Sequence, residues 1–140
     1  MILDMKDRTR PKLLARRSWY PPDTGFTHTV VPLLDRGLLI ASEEATQDKC
    51  ADWPKRIWSV DVRDESKPNP IVAFPIPKNF DDLCKRGGRF GAHNIHLNRP
   101  TPYSRTLTQT VVGSFFNGGV RIYSIADPKQ PQEIGYMSYR

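Results

Sequence analysis

The histidines are the side chains in this sequence whose type and placement best suit chemistry. His28 lies in the segment 26–30, Phe-Thr-His-Thr-Val, and His93 lies in the segment 91–95, Gly-Ala-His-Asn-Ile. The two therefore occupy matching places in two predicted strands. Neutral imidazole is a common ligand for transition metals such as zinc and copper. If the two are equivalent strands of neighbouring repeats, we expect the rings of His28 and His93 to converge on one metal ion.

His96 is the third predicted ligand, with a less favourable spacing. It follows His93 by three residues. A regular strand alternates its faces, so the two side chains point to opposite sides unless a bulge intervenes. The alternative for His93 itself is a strand histidine that hydrogen-bonds a backbone carbonyl of a neighbouring segment.

The two cysteines, Cys50 and Cys84, both lie in predicted loops. Two cysteines permit one disulfide, which fits an oxidising compartment. They are equally compatible with free thiols, or with soft metal ligands near the histidines. Because no C-x-x-C spacing is present, we favour unpaired loop cysteines.

Two further charged groups invite a functional interpretation. The run Arg86-Gly87-Gly88-Arg89 resembles an anion-binding loop, in which glycine lets backbone N–H groups approach and arginine adds charge. The alternative is a flexible crossover with solvated arginines. Glu43 and Glu44 end a predicted strand, and paired carboxylates can do acid–base chemistry. No third group can be assigned beside them from the sequence.

The elements that must position these residues follow a pattern that occurs three times. Each copy has an apolar strand, an aspartate, three residues, a proline and a second apolar strand. The aspartate–proline pairs are Asp7/Pro11, Asp64/Pro68 and Asp127/Pro131, so the aspartates are 57 and 63 residues apart. Aspartate can accept hydrogen bonds from backbone N–H groups just downstream, and proline fixes φ, so a backbone role is favoured over catalysis. The period suits a four-stranded propeller blade.

The last copy, GGVRIYSIADPKQP at residues 118–131, resembles the LVIVD repeat of bacterial β-propeller proteins. That repeat is similar in layout to the propeller of the selenium-binding protein and methanethiol oxidase group. The resemblance implies an all-β fold, a β-propeller fragment of about two and a half four-stranded antiparallel blades. It places a half blade at 1–20, one blade at 26–77 and another at 90–140. In the methanethiol oxidase group, histidines of this kind are associated with copper, which implies a metal or redox site near the central channel.

A closed propeller takes four to eight blades, so we expect the missing blades to come from elsewhere. We favour a longer parent protein over further copies of this chain, because the first residues already form a strand of the pattern. The N-terminal segment lacks the apolar region of a signal peptide, and no apolar run has the length of a membrane span. The sequence therefore does not indicate a compartment, and it predicts no contact with a membrane.

Composition fits a folded, turn-rich β protein. The 140 residues are 38% hydrophobic and 26% charged, with 13 prolines and 9 glycines. The net charge of +6 is scattered along the chain, which favours solvated strand edges over a nucleic-acid interface. The large aromatics are interpreted as packing between blades: Trp53, Trp58, Phe115 and Phe116.

The leading functional prediction is a non-enzymatic binding or scaffold domain that holds a partner at the channel mouth or on a blade face. It follows from the repeated pattern and from the lack of a complete catalytic set. The alternative is a metal-dependent oxidoreductase similar to the methanethiol oxidase group, with His28 and His93 as ligands of copper or zinc. A third alternative is a binder of anions or nucleic acid, which predicts an affinity that falls steeply with salt.

Overall fold

A computed structural model describes residues 1–19, 25–78, 80–99 and 101–138, and these form three small antiparallel sheets. The first sheet contains β1 (Ile2–Asp4) and β2 (Lys12–Ala15). The second contains, in chain order, β3 (Thr27–Leu33), β4 (Leu38–Glu43), β5 (Ile57–Asp61) and β6 (Asn69–Ala73). The third contains β7 (Thr110–Ser114), β8 (Val120–Ser124) and β9 (Gln132–Met137). The predicted all-β class is confirmed.

Helical structure is confined to short connections. A 3-10 turn, Leu34–Arg36, joins β3 to β4, and the helix α1, Phe80–Lys85, lies between the second and third sheets. No helix among the described residues is long and apolar enough to cross a membrane.

The three aspartate–proline corners have the same local structure. In each, the aspartate side chain accepts a hydrogen bond from the backbone N–H two residues later, at 2.8–3.0 Å. The aspartate carbonyl also accepts from the N–H three residues later, at 3.0–3.1 Å. The predicted backbone role of Asp64 and Asp127 is thus confirmed. These corners connect three hairpins: β1–β2, β5–β6 and β8–β9.

The three hairpins also share their register. The pairs that close them are Asp4 with Lys12, Asp61 with Asn69, and Ser124 with Gln132. Each hairpin has one more regular pair beyond the closing pair, and the register then shifts by one residue. The second strand of each hairpin, which is its outer strand, therefore contains one extra residue: Leu14, Ile71 or Ile134. An extra residue of this kind is a β-bulge, which bends the strand and increases its twist. Three distant segments thus share the same turn, register and bulge.

The predicted inner strand at 91–97 is only partly formed. Residues 93–96 run beside β7, where His93 N donates to Ser114 O at 3.0 Å and Ile95 bridges Gly113. Asn94 N donates instead to the hydroxyl of Ser114 at 3.1 Å. This side-chain bond interrupts the backbone ladder, so the segment borders the third sheet without becoming a regular strand.

One apolar core joins the second and third sheets. It includes Ile40, Ile57, Phe74, Leu83, Phe90, Phe115 and Tyr123, each at most 3% exposed. Trp53 packs against Phe80 and Phe90, with ring centroids 4.7 and 5.3 Å apart. The loop that carries Trp53 is thereby held against α1.

Cys50 and Cys84 form a disulfide, which corrects the expectation of unpaired thiols. Packing of the 44–55 loop against α1 brings the two Cα atoms to 5.4 Å, within the range that a disulfide requires. The bond fastens this loop to the segment that leads toward Arg89.

Candidate functional site

Two of the three histidines meet at one carboxylate. Glu44 Oε2 lies 3.9 Å from His28 Nε2, and Glu44 Oε1 lies 3.6 Å from His93 Nε2. The imidazole rings are tilted by 55°, with centroids 4.4 Å apart. One ligand atom from each of the three residues lies within 4.8 Å of the other two. These residues, His28, Glu44 and His93, are called the His–Glu–His cluster below.

The two sheets position the cluster. His28 is near the start of β3, and Glu44 directly follows β4, where its backbone N–H donates to Phe26 O at 2.9 Å. His93 belongs to the segment beside β7. Ser42 of β4 donates a hydroxyl hydrogen bond to the carbonyl of His93, which fixes the second sheet against that segment.

The adjacent glutamates at the end of β4, Glu43 and Glu44, have separate environments. Glu43 is fully buried, and its carboxylate accepts a hydrogen bond from Arg56 N at 2.9 Å. Glu44 retains 16% of its side-chain exposure and faces the histidines. Successive residues of a strand point to opposite sides, so the pair cannot act as one acid–base couple.

Arg89 and Phe116 complete the surroundings of Glu44. Arg89 Nη1 donates to Glu44 Oε1 and to Ala45 O, both at 3.3 Å. Its guanidinium carbon lies 4.1 Å from the centroid of the Phe116 ring. The same ring stacks on His93 with a centroid distance of 4.6 Å and an angle of 10°. Phe116 therefore contacts both a proposed ligand and the neighbouring cation.

The backbone of Phe116 places its ring in this position. Its φ is +48°, in the left-handed region that residues with a side chain seldom adopt. The loop between β7 and β8 is closed around it, since Phe115 N donates to Gly119 O at 2.7 Å. Its predicted role was packing between blades, whereas here the ring forms part of the site.

Burial lowers the pKa of His93, and the positive charge of Arg89 acts in the same direction. The proximity of His28 also lowers this pKa, while the negative charge of Glu44 opposes the shift. The lowered pKa favours the neutral imidazole of His93, which is the form that binds metals. His28 Nδ1 lies 2.9 Å from the hydroxyl of Thr29, and this contact can orient the ring with Nε2 toward Glu44.

His96 does not join the cluster. Its Nε2 lies 2.8 Å from the carbonyl of Arg105, and among the described residues the metal-ligating group contains only His28, Glu44 and His93. The physical reason is this contact, which holds the His96 ring against the loop that carries Arg105.

The glycine loop at 86–89 is held to its neighbours through its carbonyl groups, and its prediction as an anion cradle stays a prediction. Gly87 O accepts a hydrogen bond from the Asn117 side chain, and Gly88 O accepts one from Lys49 N, both at 2.8 Å. The anion that Arg89 contacts is Glu44. Arg86 donates its backbone N–H to Asp82 O at the end of α1, and its part in anion binding stays a prediction.

Glu44 is the residue of the cluster that the sequence did not identify as a ligand. Its position at the end of a strand, beside a second glutamate, was the only signal. Which of the two acids would face the histidines depends on the pairing of β3 with β4. The partnership of Glu44 with Arg89, 45 residues away, had no sequence signal at all.

Comparison with known proteins adds no identification, because no family model, curated protein or solved structure matches the chain. The arrangement of the side chains offers two imidazole nitrogens and a carboxylate in a partly exposed cluster, with a guanidinium beside it.

Proposed function

We propose that the chain binds one divalent transition-metal ion through His28, Glu44 and His93. The observation that carries the proposal is the convergence of three ligand atoms from three separate segments within 4.8 Å. A set of two histidines and one carboxylate is typical of catalytic zinc and of non-haem iron, and imidazole also suits copper. The alternative predicted from the sequence, a metal-dependent oxidoreductase, is therefore favoured over a pure scaffold.

The spacing of the cluster suits such an ion. Zinc lies about 2.0–2.1 Å from its nitrogen and oxygen ligands, so neighbouring ligand atoms of a tetrahedral site are separated by about 3.3 Å. The distances from Glu44 to the two histidines, 3.6 and 3.9 Å, are measured from its two different oxygens, and one ligand atom from each residue lies within 4.8 Å of the others. Side-chain rotations that bring these atoms together by up to about 1.5 Å would close the site.

Three protein ligands leave at least one coordination position open. An ion held in this way supplies Lewis-acid or redox chemistry to a small molecule at the open position. The residues of the chain supply the rest: the core behind β4 fixes Glu44, the Phe116 ring holds His93 in place, and partial burial restricts water.

Metal titration of the purified chain tests this proposal. We expect one equivalent of zinc or copper per chain by calorimetry and by elemental analysis after dialysis. His93→Ala and Glu44→Gln should each weaken binding at least about tenfold, because a three-ligand site loses a ligand. His96→Ala is the matched control, since it removes an imidazole outside the cluster. Unchanged binding in His93→Ala, or equal losses in His96→Ala, would refute the assignment.

A second proposal concerns the architecture, and it is the binding or scaffold function. We propose that the sheets are blades of an LVIVD-type propeller and associate with further blades, from the same protein or from other copies of this chain. Support comes from the shared turn, register and bulge of the three hairpins. Exposed apolar side chains on the outer strands also support it: Leu13, Ile134, Tyr136 and Met137 are 58–64% exposed.

The mass of the chain in solution tests the second proposal. Light scattering coupled to size exclusion should show either a defined small ring or a monomer that gains mass when missing blades are supplied. Replacing Ile134 and Met137 by serine should abolish that association without unfolding the core, because both side chains are exposed. Association that survives both changes would contradict the blade-face interface.

A further inference from the structure

Arg89 is held at the rim of the His–Glu–His cluster by contacts of different kinds. Its Nη1 donates to Glu44 Oε1 and to the carbonyl of Ala45, and its guanidinium carbon lies over the Phe116 ring. The side chain is still 41% exposed. Its Nε and Nη2 atoms donate no hydrogen bond to any described residue. The guanidinium is thus fixed in place while part of its hydrogen-bonding capacity faces solvent.

The same carboxylate oxygen serves two purposes. Glu44 Oε1 lies 3.3 Å from Arg89 Nη1 and 3.6 Å from His93 Nε2, so the atom that neutralises the arginine also faces the proposed metal position. Without a metal, Glu44 and Arg89 balance each other. With a divalent ion bound by Glu44 and two neutral histidines, the four groups and the ion together carry a charge of about +2.

This excess positive charge has a direct consequence for the ligand at the open position. Repulsion between the ion and the guanidinium weakens metal binding, because the charges are close and partly shielded from water. A small anion bound to the ion and to Arg89 at the same time would relieve that repulsion. Guanidinium is suited to this role, since its planar fork matches the two oxygens of a carboxylate.

We infer that Arg89 makes this a joint site for a metal ion and a small carboxylate, which bind cooperatively. The inference rests on the proposed metal function and specifies its ligand class. The carboxylate occupies the open coordination position with one oxygen and accepts hydrogen bonds from the Arg89 nitrogens that Glu44 and Ala45 leave available. Linkage requires that each ligand raise the affinity for the other by the same factor.

The experiment measures zinc affinity by calorimetric competition, with acetate as the probe anion. Titrations are run in acetate and in perchlorate at matched ionic strength, with zinc–acetate complexation in solution subtracted. We expect acetate to tighten zinc binding by at least about fivefold, the lower end of typical coupling between two sites. Matched ionic strength ensures that general screening does not produce the difference.

Variants of Arg89 test whether this residue causes the increase in zinc affinity that acetate produces. Arg89→Gln should bind zinc more tightly than the native chain in perchlorate, because the repulsive charge is gone, and should show no acetate effect. Arg89→Lys keeps the charge but loses the fork, so it should retain only part of the coupling. Lys85→Gln is the matched control, since it removes one positive charge from the exposed end of α1 nearby, and it should keep the full effect.

The outcomes separate the two proposals. Zinc binding that His93→Ala abolishes, but that acetate does not strengthen, overturns the inference and leaves the metal site standing. Coupling that persists in Arg89→Gln also overturns it. Absence of zinc binding in both buffers overturns the metal site and the joint site together.

Discussion

Removing the disulfide between Cys50 and Cys84 should lower the free energy of unfolding by several kilocalories per mole. The bond joins residues 34 positions apart. In the chain-entropy model a closed loop of this length stabilises the folded state by about 3.7 kcal/mol at 25 °C, through the entropy it removes from the unfolded chain. The bond also fastens the 44–55 loop, which begins with Glu44, to α1, which leads toward Arg89.

Urea unfolding at equilibrium measures the effect in the double variant Cys50→Ala/Cys84→Ala. We expect a loss of about 3–4 kcal/mol and a larger m-value, because the unfolded chain without a cross-link exposes more surface. Native protein kept reduced by dithiothreitol is the matched control, since it keeps both sulfur atoms in place. A loss below about 1 kcal/mol in both samples would contradict this reasoning. It would show that residual structure already restricts the unfolded chain when the cross-link is absent.

Two further perturbations test the hairpins. Gly119 has a φ of +77°, and a Cβ there would lie 2.0 Å from Met137 O, so Gly119→Ala should cost about 2–4 kcal/mol in urea unfolding. Gly87→Ala is its control, because the φ of Gly87 is similar, +80°, but nothing lies within 4 Å, and it should cost only about 1–2 kcal/mol. Equal costs would contradict the clash. Hydrogen bonding from the Arg63 side chain lowers the pKa of Asp61 to about 2, and the pKa of Asp64 is lowered by the Ser66 side chain. Because these folded-state pKa values are depressed, the stability they provide is complete above about pH 4 and is lost as the pH falls toward about 2. Asp61→Asn should flatten that part of the pH profile, and an unchanged slope would show that the carboxylate is not responsible.

The hairpins were predictable because their determinants are local. In each corner the aspartate side chain accepts a hydrogen bond from the backbone N–H two residues later, and a proline follows the aspartate by four residues. This short motif specifies the corner without help from the rest of the chain. The bulge at Leu14, Ile71 and Ile134 was not predicted, since apolar alternation does not reveal which strand carries an extra residue. The segment at 91–97 was predicted as a strand, and the hydroxyl of Ser114 that interrupts it lies 20 residues from Asn94.

The candidate site was predictable only in part. The sequence predicted that His28 and His93 converge, and their rings lie 4.4 Å apart because β3 and the segment beside β7 carry them at matching places. Their role as metal ligands stays a prediction. Glu44 and Arg89 depend on how two sheets pack, which the residue types do not encode. The disulfide was missed for the same reason. Cys50 and Cys84 are 34 residues apart in sequence, and they come close in space only because α1 packs against the 44–55 loop.

The extra residue in the outer strand of each hairpin also affects whether the exposed edge of its sheet can pair with a strand of another chain. The strands β2, β6 and β9 each end a sheet, and an edge with regular, unpaired N–H and C=O groups would act as a template for strands of neighbouring chains. A bulge breaks the even spacing of those groups, and Pro70 removes a donor from β6. The device that shapes each hairpin thereby discourages aggregation through its open edge.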